Sequence, residues 1–74
     1  MSYPLDTIIK MARAVQNRPA YAGVLSTGEK CAMGLLHNNA DYLPAGYTFL
    51  DAVDRLEGEW LAAVLKANRQ GWRE

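Results

Sequence analysis

The sequence is short of the residues from which chemical sites are built. Its 74 residues include one cysteine, one histidine and three prolines. A single cysteine excludes an intrachain disulfide and a cysteine-rich metal framework, so no metal or other cofactor is predicted. Cys31 and His37 point about 120° apart in a helix and lie about 20 Å apart in a strand, which makes a direct Cys-His dyad geometrically awkward. Cys31 is therefore predicted to be a small buried hydrophobe, and His37 to contact the last carbonyls of a helix.

The sequence also has no excess of either charge and no long apolar run. Eight basic residues balance eight acidic ones, so the average electrostatic attraction to nucleic acid is absent and nucleic-acid binding is not expected. The longest uncharged stretches, residues 19–28 and 31–40, are shorter than the roughly 20 apolar residues that span a bilayer. The N-terminus lacks the charged-then-apolar pattern of a signal peptide. Together with the free Cys31, this predicts a cytoplasmic protein that does not enter a membrane.

The length predicts one small domain over residues 1–74. Half of the residues are hydrophobic, which is typical of a globular fold and argues against disorder. A chain of this size buries only about 60% of its unfolded surface on folding. Because no disulfide compensates, the composition favours extra burial in a helix-lined interface, most simply a homodimer.

The strongest helical pattern covers residues 48–70. Thr48 and Asp51 have the spacing of a capping box at its start. Gly71 can take the left-handed conformation at its end, where Trp72 is placed for the closing apolar contact. The acidic first half and basic second half suit the helix dipole without any ligand. The residues of its predicted core-facing side are Phe49, Val53, Leu56, Trp60, Val64 and Ala67, with Leu50 and Leu61 beside them.

A second helix is predicted over residues 4–17. Pro4 suits its first turn, and Asn17-Arg18-Pro19 ends it, because proline disfavours helical geometry in the preceding residue. Its apolar arc comprises Leu5, Ile8, Ile9, Met11, Ala12 and Val15.

Residues 20–37 fit two structures. In the favoured one, Ser26 and Glu29 form a capping box that starts a helix over 27–38, with Lys30, Gly34 and His37 facing solvent. In the other, Thr27-Gly28 is the turn of a hairpin over about 20–36. Thr-Gly is a weak hairpin signal, and an isolated two-stranded ribbon is seldom stable.

The connector over 40–46 is expected to hold one helical turn around Asp41-Tyr42-Leu43. The predicted fold is thus an all-α bundle of three main helices, about 4–17, 27–38 and 48–70, with an α+β fold as the alternative.

Two carboxylates are the most informative polar residues of the longest helix. Asp54 and Glu57 project within or beside the apolar arc, where an unpaired charge would be costly. Either they lie at its rim or pair with a base such as Arg13 or Arg18, within one chain or across a dimer, or they form an acidic contact for a partner. Without a nucleophile, metal ligands or a phosphate loop, two carboxylates do not define an enzyme, and no catalytic residue is assigned.

Several aromatic residues lie in or beside loops, where tyrosine and tryptophan are common interface anchors or lids on the core. Tyr42 and Tyr47 are two such candidates. Trp72, next to Arg69 and Arg73, is the best single candidate for contact with a partner. Its competing role is the helix-closing contact.

A helix-turn-helix interpretation is the main alternative, because short helices with a glycine in a turn are compatible with it. Its recognition helix would span residues 29–37, which opens with an acid. The helix offers DNA only Lys30, His37 and then Asn38, a poor set for phosphates and base edges.

Four pieces of residues 26–61 carry a resemblance to a group of proteins. They are Ser26-Thr27-Gly28-Glu29-Lys30, Asp41-Tyr42-Leu43, Gly46-Tyr47-Thr48, and Asp51-Ala52-Val53-Asp54-Arg55-Leu56 with Glu59-Trp60-Leu61. In these pieces the chain resembles small, mostly uncharacterised proteins carried by bacteriophages and prophages. The resemblance implies a setting, since short phage accessory proteins commonly bind and redirect a host protein. The sequence therefore predicts a non-enzymatic protein-binding module, with a small DNA-binding regulator as the alternative.

Overall fold

The computed structural model describes the backbone of residues 3–73 and the side chains of residues 5–73. Within that range the chain forms four α-helices, two short 3-10 helices and no strand. In chain order these are α1 (Tyr3–Asn17), a first 3-10 helix (Pro19–Val24), α2 (Thr27–His37), a second 3-10 helix (Ala40–Tyr42), α3 (Phe49–Leu56) and α4 (Glu59–Gln70). The predicted all-α class is confirmed. The alternative hairpin over 20–36 is wrong, because those residues form helical turns.

The first helix, α1, matches the prediction over 4–17. Its apolar arc enters the core as expected, with Ile8, Met11, Ala12 and Val15 buried. Arg18 leaves helical geometry at φ −136° and ψ 89°, because the following proline disfavours the helical region for the residue before it.

The capping box predicted at the start of α2 is present. Ser26 Oγ accepts a hydrogen bond from the backbone N–H of Glu29 at 3.3 Å, and Glu29 Oε1 accepts one from the backbone N–H of Ser26 at 2.8 Å. The helix ends at Asn38, which takes the left-handed conformation at φ 53°. Between these ends α2 is the most enclosed helix, with five buried residues, Cys31, Ala32, Met33, Gly34 and Leu36.

The predicted solvent-facing stripe of α2 is wrong for Gly34 and His37. Gly34 is buried because Leu43 packs directly on it, and a Cβ at position 34 would lie 2.7 Å from Leu43 Cγ. The second 3-10 helix, the turn predicted around Asp41-Tyr42-Leu43, brings Leu43 to this position. Its first turn is held by Asn39 Oδ1, which accepts a hydrogen bond from the backbone N–H of Asp41 at 2.9 Å.

The predicted single helix over 48–70 is two helices. Its start is correct, since Thr48 Oγ1 accepts a hydrogen bond from the backbone N–H of Asp51 at 3.1 Å and Asp51 Oδ2 accepts one from the backbone N–H of Thr48 at 3.0 Å. The chain then breaks between α3 and α4 at Gly58, whose φ of +101° is a conformation that a residue with a Cβ rarely adopts. Gly71 closes α4 in the left-handed conformation, as predicted.

The break changes which side chains of the C-terminal region are covered. α3 buries Ala52 and Leu56, and α4 buries Ala63, Val64 and Ala67. Phe49 and Val53 were predicted to face the core and are partly exposed. A straight helix would have held all eight predicted residues on one stripe, whereas two helices that meet at an angle present two separate stripes.

The helices pack around α2. It contacts α1, α3 and α4, while α1 also lies along α4. The result is a single core in a molecule of 31 × 27 × 18 Å. α3 and α4 have little direct contact with each other, so α2 forms the floor between them.

Candidate functional site

Trp72, the partner anchor that the sequence favours most, is in the core. Only 2% of its surface is exposed. The competing prediction, that Trp72 makes the apolar contact that closes the C-terminal helix, therefore describes its position better. Arg13 Nε donates a hydrogen bond to the Trp72 carbonyl oxygen at 3.0 Å, which ties the end of the chain to α1. The indole is therefore a structural residue of this fold and not a surface anchor.

An aromatic cluster surrounds Trp72. The His37 ring stands edge-on to Trp72 at 4.6 Å and to Tyr42 at 5.1 Å between ring centroids. The Arg73 guanidinium lies 4.7 Å from the centroid of the Trp72 ring on the exposed side, a cation–π arrangement. Tyr42 and Arg73, both predicted to contact a partner, thus contribute to closing the core.

His37 faces inward, contrary to its predicted contact with the last carbonyls of its own helix. Burial lowers the pKa of the imidazole, a hydrogen bond with the backbone of Ala12 opposes that shift, and the nearby charge of Arg73 lowers the pKa further. Neither His37 Nε2 nor Trp72 Nε1 has a hydrogen-bond partner within residues 5–73. A neutral imidazole is therefore the favoured form in the folded protein.

The prediction that Cys31 is a buried hydrophobe is confirmed. The side chain has no exposed surface, and burial raises the pKa of the thiol while the charge of Arg55 partly offsets the rise. A buried thiol with a raised pKa is a poor nucleophile. Across the described residues, no three side chains among His, Cys, Asp and Glu are grouped so that they could hold a metal ion.

The remaining predicted site residues do not form one cluster. Asp54, Glu57 and Arg69 are exposed, and Tyr47 is half-buried. Asp54 and Glu57 lie on α3 and at its C-terminal end, and their exposed charges need no buried partner. Arg69 lies on the last turns of α4. None of these three residues lines the groove between α3 and α4, although all three lie on or beside the helices that form it.

The α3–α4 groove is an open apolar channel of about 410 Å³ between the two C-terminal helices. Val53 forms the α3 wall, and Leu61 and Leu65 form the α4 wall. The floor comes from Leu36 and Val64, both buried, with Leu35 beside them. One end of the groove is polar, where Asn38, Asn68 and Arg73 line it.

The walls of the groove continue into exposed apolar surface. Leu65 is 48% exposed and Val53 36% exposed, while Leu50, one turn before Val53, is 79% exposed. Single exposed leucines are ordinary, but adjacent ones beside a groove form the kind of contiguous apolar surface that marks interaction sites. Leu65 was missed because it lies off the predicted apolar arc of a continuous helix. Leu50 was predicted beside that core-facing arc, and its exposure shows that this placement was wrong.

Charged residues lie further round both helices, outside the lining of the groove. On α3, helical geometry places Glu57 and Leu50 next to Val53 around the helix, and Asp54 beyond them. On α4, Arg69 lies one turn after Leu65 and about 40° further round the helix. Three of these residues, Asp54, Glu57 and Arg69, are predicted site residues.

A second cavity, of about 360 Å³, lies at the other side of α3. Its polar lining residues are Ser26, Glu29, Arg55 and Glu57. Ser26 and Glu29 already bond each other's backbone in the capping box. These two side chains therefore serve the start of α2, and the α3–α4 groove, with its exposed apolar walls, is the better candidate for binding a protein.

No helix within residues 3–73 combines the length and the apolar content needed to cross a bilayer. Comparisons with protein-family models, curated proteins and solved structures found no match to this chain. The function is accordingly argued from the groove itself.

Proposed function

We propose that the protein is a non-enzymatic protein-binding module and that the α3–α4 groove is its binding surface. The observation that carries the proposal is the exposure of Val53 and Leu65 on the two walls of the groove, with the exposed Leu50 one turn before Val53. Fully burying one such side chain contributes about 1.5–3 kcal/mol. The same chain buries Ile8, Val15 and Met33 completely. It therefore forms a well-packed core, and the exposed leucines are not explained by poor packing.

The shape of the groove suits a protein segment better than a small molecule. It is open along its length, with leucine and valine walls and a polar end formed by Asn38, Asn68 and Arg73. Small-molecule sites are more often enclosed, with a few converging polar groups. Helix-in-groove recognition uses an apolar channel between helices with polar contacts at its ends.

The positions of the candidate chemical groups also favour binding over catalysis. Cys31 is enclosed with a raised pKa, and His37 points to α1 and Trp72. A nucleophile and a base need access to substrate and to each other. Neither residue lies in the α3–α4 groove.

DNA recognition is disfavoured by the burial of its candidate helix. Residues 29–37 belong to α2, which buries Cys31, Ala32, Met33 and Leu36 at the centre of the fold. A recognition helix presents its side chains to the major groove, which α2 cannot do without dismantling the core.

The wider setting belongs to the same proposal. The resemblance in residues 26–61 supports a phage or prophage accessory protein whose partner is a host protein. The free, buried Cys31 supports a cytoplasmic location. In its more specific form, the proposal is that the protein binds a second copy of itself, because a chain this small gains stability from the extra burial in a dimer interface.

Affinity capture from a bacterial lysate tests the proposal with three immobilised forms, the wild-type chain, Leu65→Glu and the matched control Val24→Glu. Val24 is 75% exposed and lies on the first 3-10 helix, outside the groove. The proposal expects a protein that is retained by wild type and by Val24→Glu and lost with Leu65→Glu, while circular dichroism shows all three folded. Equal retention by Leu65→Glu would contradict it, and groove-independent, salt-sensitive binding of duplex DNA would favour a regulator.

A further inference from the structure

We propose that Trp72 and the residues on either side of it form a latch that opens when His37 is protonated. The Trp72 latch is defined as residues 71–73. Its opening moves Arg73 away from the polar end of the α3–α4 groove, and the importance of that movement rests on the proposed function. Three features carry this inference: how the latch is held, which buried atoms it leaves unpaired, and which groups face His37.

The latch lies outside the helices and is held in place by tertiary contacts. Gly71 closes α4 in the left-handed conformation, and residues 72 and 73 follow without helical structure. The Trp72 side chain is nevertheless buried. Arg13 Nε donates a hydrogen bond to its carbonyl oxygen at 3.0 Å, and the centroid of the His37 ring lies 4.6 Å from that of the indole. A short segment of this kind can open while the helices stay folded, because local opening costs less free energy than global unfolding.

The two rings at this contact each contain a buried nitrogen without a hydrogen-bond partner. Within residues 5–73, these atoms are His37 Nε2 and Trp72 Nε1. The hydrogen bond between the imidazole and the backbone of Ala12 is therefore made through Nδ1. In a neutral imidazole with its proton on Nδ1, Nε2 is an acceptor, whereas the indole nitrogen is always a donor.

Protonation makes this contact unfavourable. His37 Nε2 then carries a hydrogen, so the two unpaired nitrogens of His37 and Trp72 are both donors. An unpaired buried donor is costly, and an unpaired buried charge costs more. Opening of the latch exposes Nε2 to water, which accepts the new hydrogen bond.

Within residues 5–73, the groups that contact His37 provide no negative charge to balance an imidazolium. Arg73 lies beside it after α4, and Arg13 of α1 is bonded to the backbone of the latch. The second 3-10 helix presents the ring of Tyr42. Asp41, next to Tyr42 in the chain, is exposed and lines a different cavity.

The same contacts set the direction of the pH response. In the closed latch, burial lowers the pKa of His37, the hydrogen bond with Ala12 opposes this shift, and the charge of Arg73 lowers the pKa further. Opening removes the cover of Trp72 and the charge of Arg73, so the pKa returns toward its ordinary 6.5. Because the open form binds the proton more tightly, the latch is closed above about pH 6.5 and opens as the pH falls toward the lower pKa of the closed form.

Opening of the latch also changes the α3–α4 groove. Arg73 lines the polar end of the groove with Asn38 and Asn68, and it is the one charged residue of the lining within residues 5–73. Because Arg73 is joined to Trp72, it leaves this end when the indole leaves the core. The groove is therefore complete only while His37 is neutral.

A pH titration of the whole chain by heteronuclear NMR tests the latch. The chain has one histidine and two tryptophans, so the ring signals of His37 and the two indole N–H signals can be followed separately. Between about pH 7.5 and 5, the Trp72 indole signal is expected to move to the position of an exposed indole, with the same midpoint as the His37 ring signals. Trp60, which lines the second cavity, is the internal control and is expected to stay unchanged.

His37→Gln is the matched variant, because it removes the titrating group. Its Trp72 indole signal is expected to keep one position over the same pH range. A wild-type Trp72 signal that does not move, that moves with a midpoint different from that of His37, or that moves equally in the variant would overturn the latch. So would a simultaneous change of the Trp60 signal and the backbone signals of α2, which indicates global unfolding. The comparison of midpoints within wild type decides the question even if the variant does not fold.

The same spectra test the effect on the groove. The side-chain amide signals of Asn68 are expected to shift together with the indole signal of Trp72. Unchanged Asn68 signals beside a moving Trp72 signal would overturn the effect on the groove and leave the latch. Because the titration uses the chain alone, a latch that opens as expected together with a failed affinity capture would overturn the proposed function and not the latch.

Discussion

α2 and α3 begin in the same way and end in different surroundings. Each starts with a capping box, Ser26 with Glu29 in α2 and Thr48 with Asp51 in α3. α2 then lies at the centre of the fold with Met33 fully enclosed, whereas α3 leaves Leu50 79% exposed. Local hydrogen bonds therefore decide where a helix begins, and tertiary packing decides whether it serves as scaffold or as binding surface.

The largest predicted difference between α2 and α3 comes from truncating one apolar residue in each. Met33→Ala is expected to lower the free energy of unfolding by about 2–5 kcal/mol, because it leaves a cavity at the centre of the core. Leu50→Ala is expected to change it by less than about 0.5 kcal/mol, because the side chain is already in solvent. Urea unfolding measures both, and similar losses would mean that α3 is not the surface helix described above.

Two glycine substitutions test how closely Leu43 packs on α2, the scaffold helix. Gly34→Ala is expected to cost about 1–3 kcal/mol, because the new methyl group overlaps Leu43. Gly28→Ala, in the same helix with open space around the added atom, is expected to stabilise by about 0.4–1 kcal/mol. Thermal unfolding of the two variants beside wild type measures the pair, and a change of the same sign in both would refute the close packing of Leu43 on α2.

Removing each capping box in turn compares how much the same N-terminal hydrogen bonds contribute to stability in α2 and in α3. Ser26→Ala is expected to lower the free energy of unfolding by about 1 kcal/mol. Thr48→Ala is expected to have a smaller effect on global unfolding and to speed amide exchange within α3, because this helix has only eight residues and two of them, Ala52 and Leu56, are buried. Urea unfolding and amide exchange measure the two effects. If Thr48→Ala lowered the free energy of unfolding more than Ser26→Ala does, α3 and not α2 would be the scaffold.

The smallest predicted effect is a pH dependence that belongs to α2 alone. Because the pKa of His37 is lower in the folded chain than its ordinary 6.5, the unfolded chain binds more protons between those two values. Stability is then complete above about pH 6.5 and declines as the pH falls toward the folded pKa. His37→Gln is expected to reduce the loss of urea-derived stability as the pH falls below about 6.5. If the variant loses stability with the same slope as wild type, His37 is not the cause.

The sequence predicted the parts of the fold that depend on near neighbours. Both capping boxes, the end of α1 before Pro19, the turn at Asp41-Tyr42-Leu43 and the left-handed Gly71 are each set by residues within a few positions of one another. Such contacts form within one turn of a helix. They can be inferred from spacing without knowing how the helices pack.

The break at Gly58 was not predicted, because the helical apolar pattern continues through it. An isolated glycine is tolerated in a helix at a cost of about 1 kcal/mol, so its presence did not require a break. The tertiary structure determines the break, since α2 packs between α3 and α4. The sequence signal was Leu65, an apolar residue that lies off the predicted arc.

The candidate site was predicted only in part for a related reason. Asp54 and Glu57 were chosen as a pair beside the apolar arc and Arg69 as a neighbour of Trp72, and none of the three lines the α3–α4 groove. Trp72 was chosen as an aromatic residue beside a loop and next to Arg69 and Arg73, yet it packs on His37, which is 35 positions away in the chain. Contacts of that separation follow from the fold and leave no spacing pattern in the sequence.

The central claim is that α2 is the scaffold and that α3 and α4 carry a binding surface, and amide hydrogen exchange at low and high protein concentration tests it most directly. We expect α2 amides to exchange most slowly and at a rate independent of concentration. Amides of α3 and α4 that line the groove are expected to exchange faster in dilute solution and to slow as the concentration rises. Protection of α3 equal to that of α2 at every concentration would contradict the account.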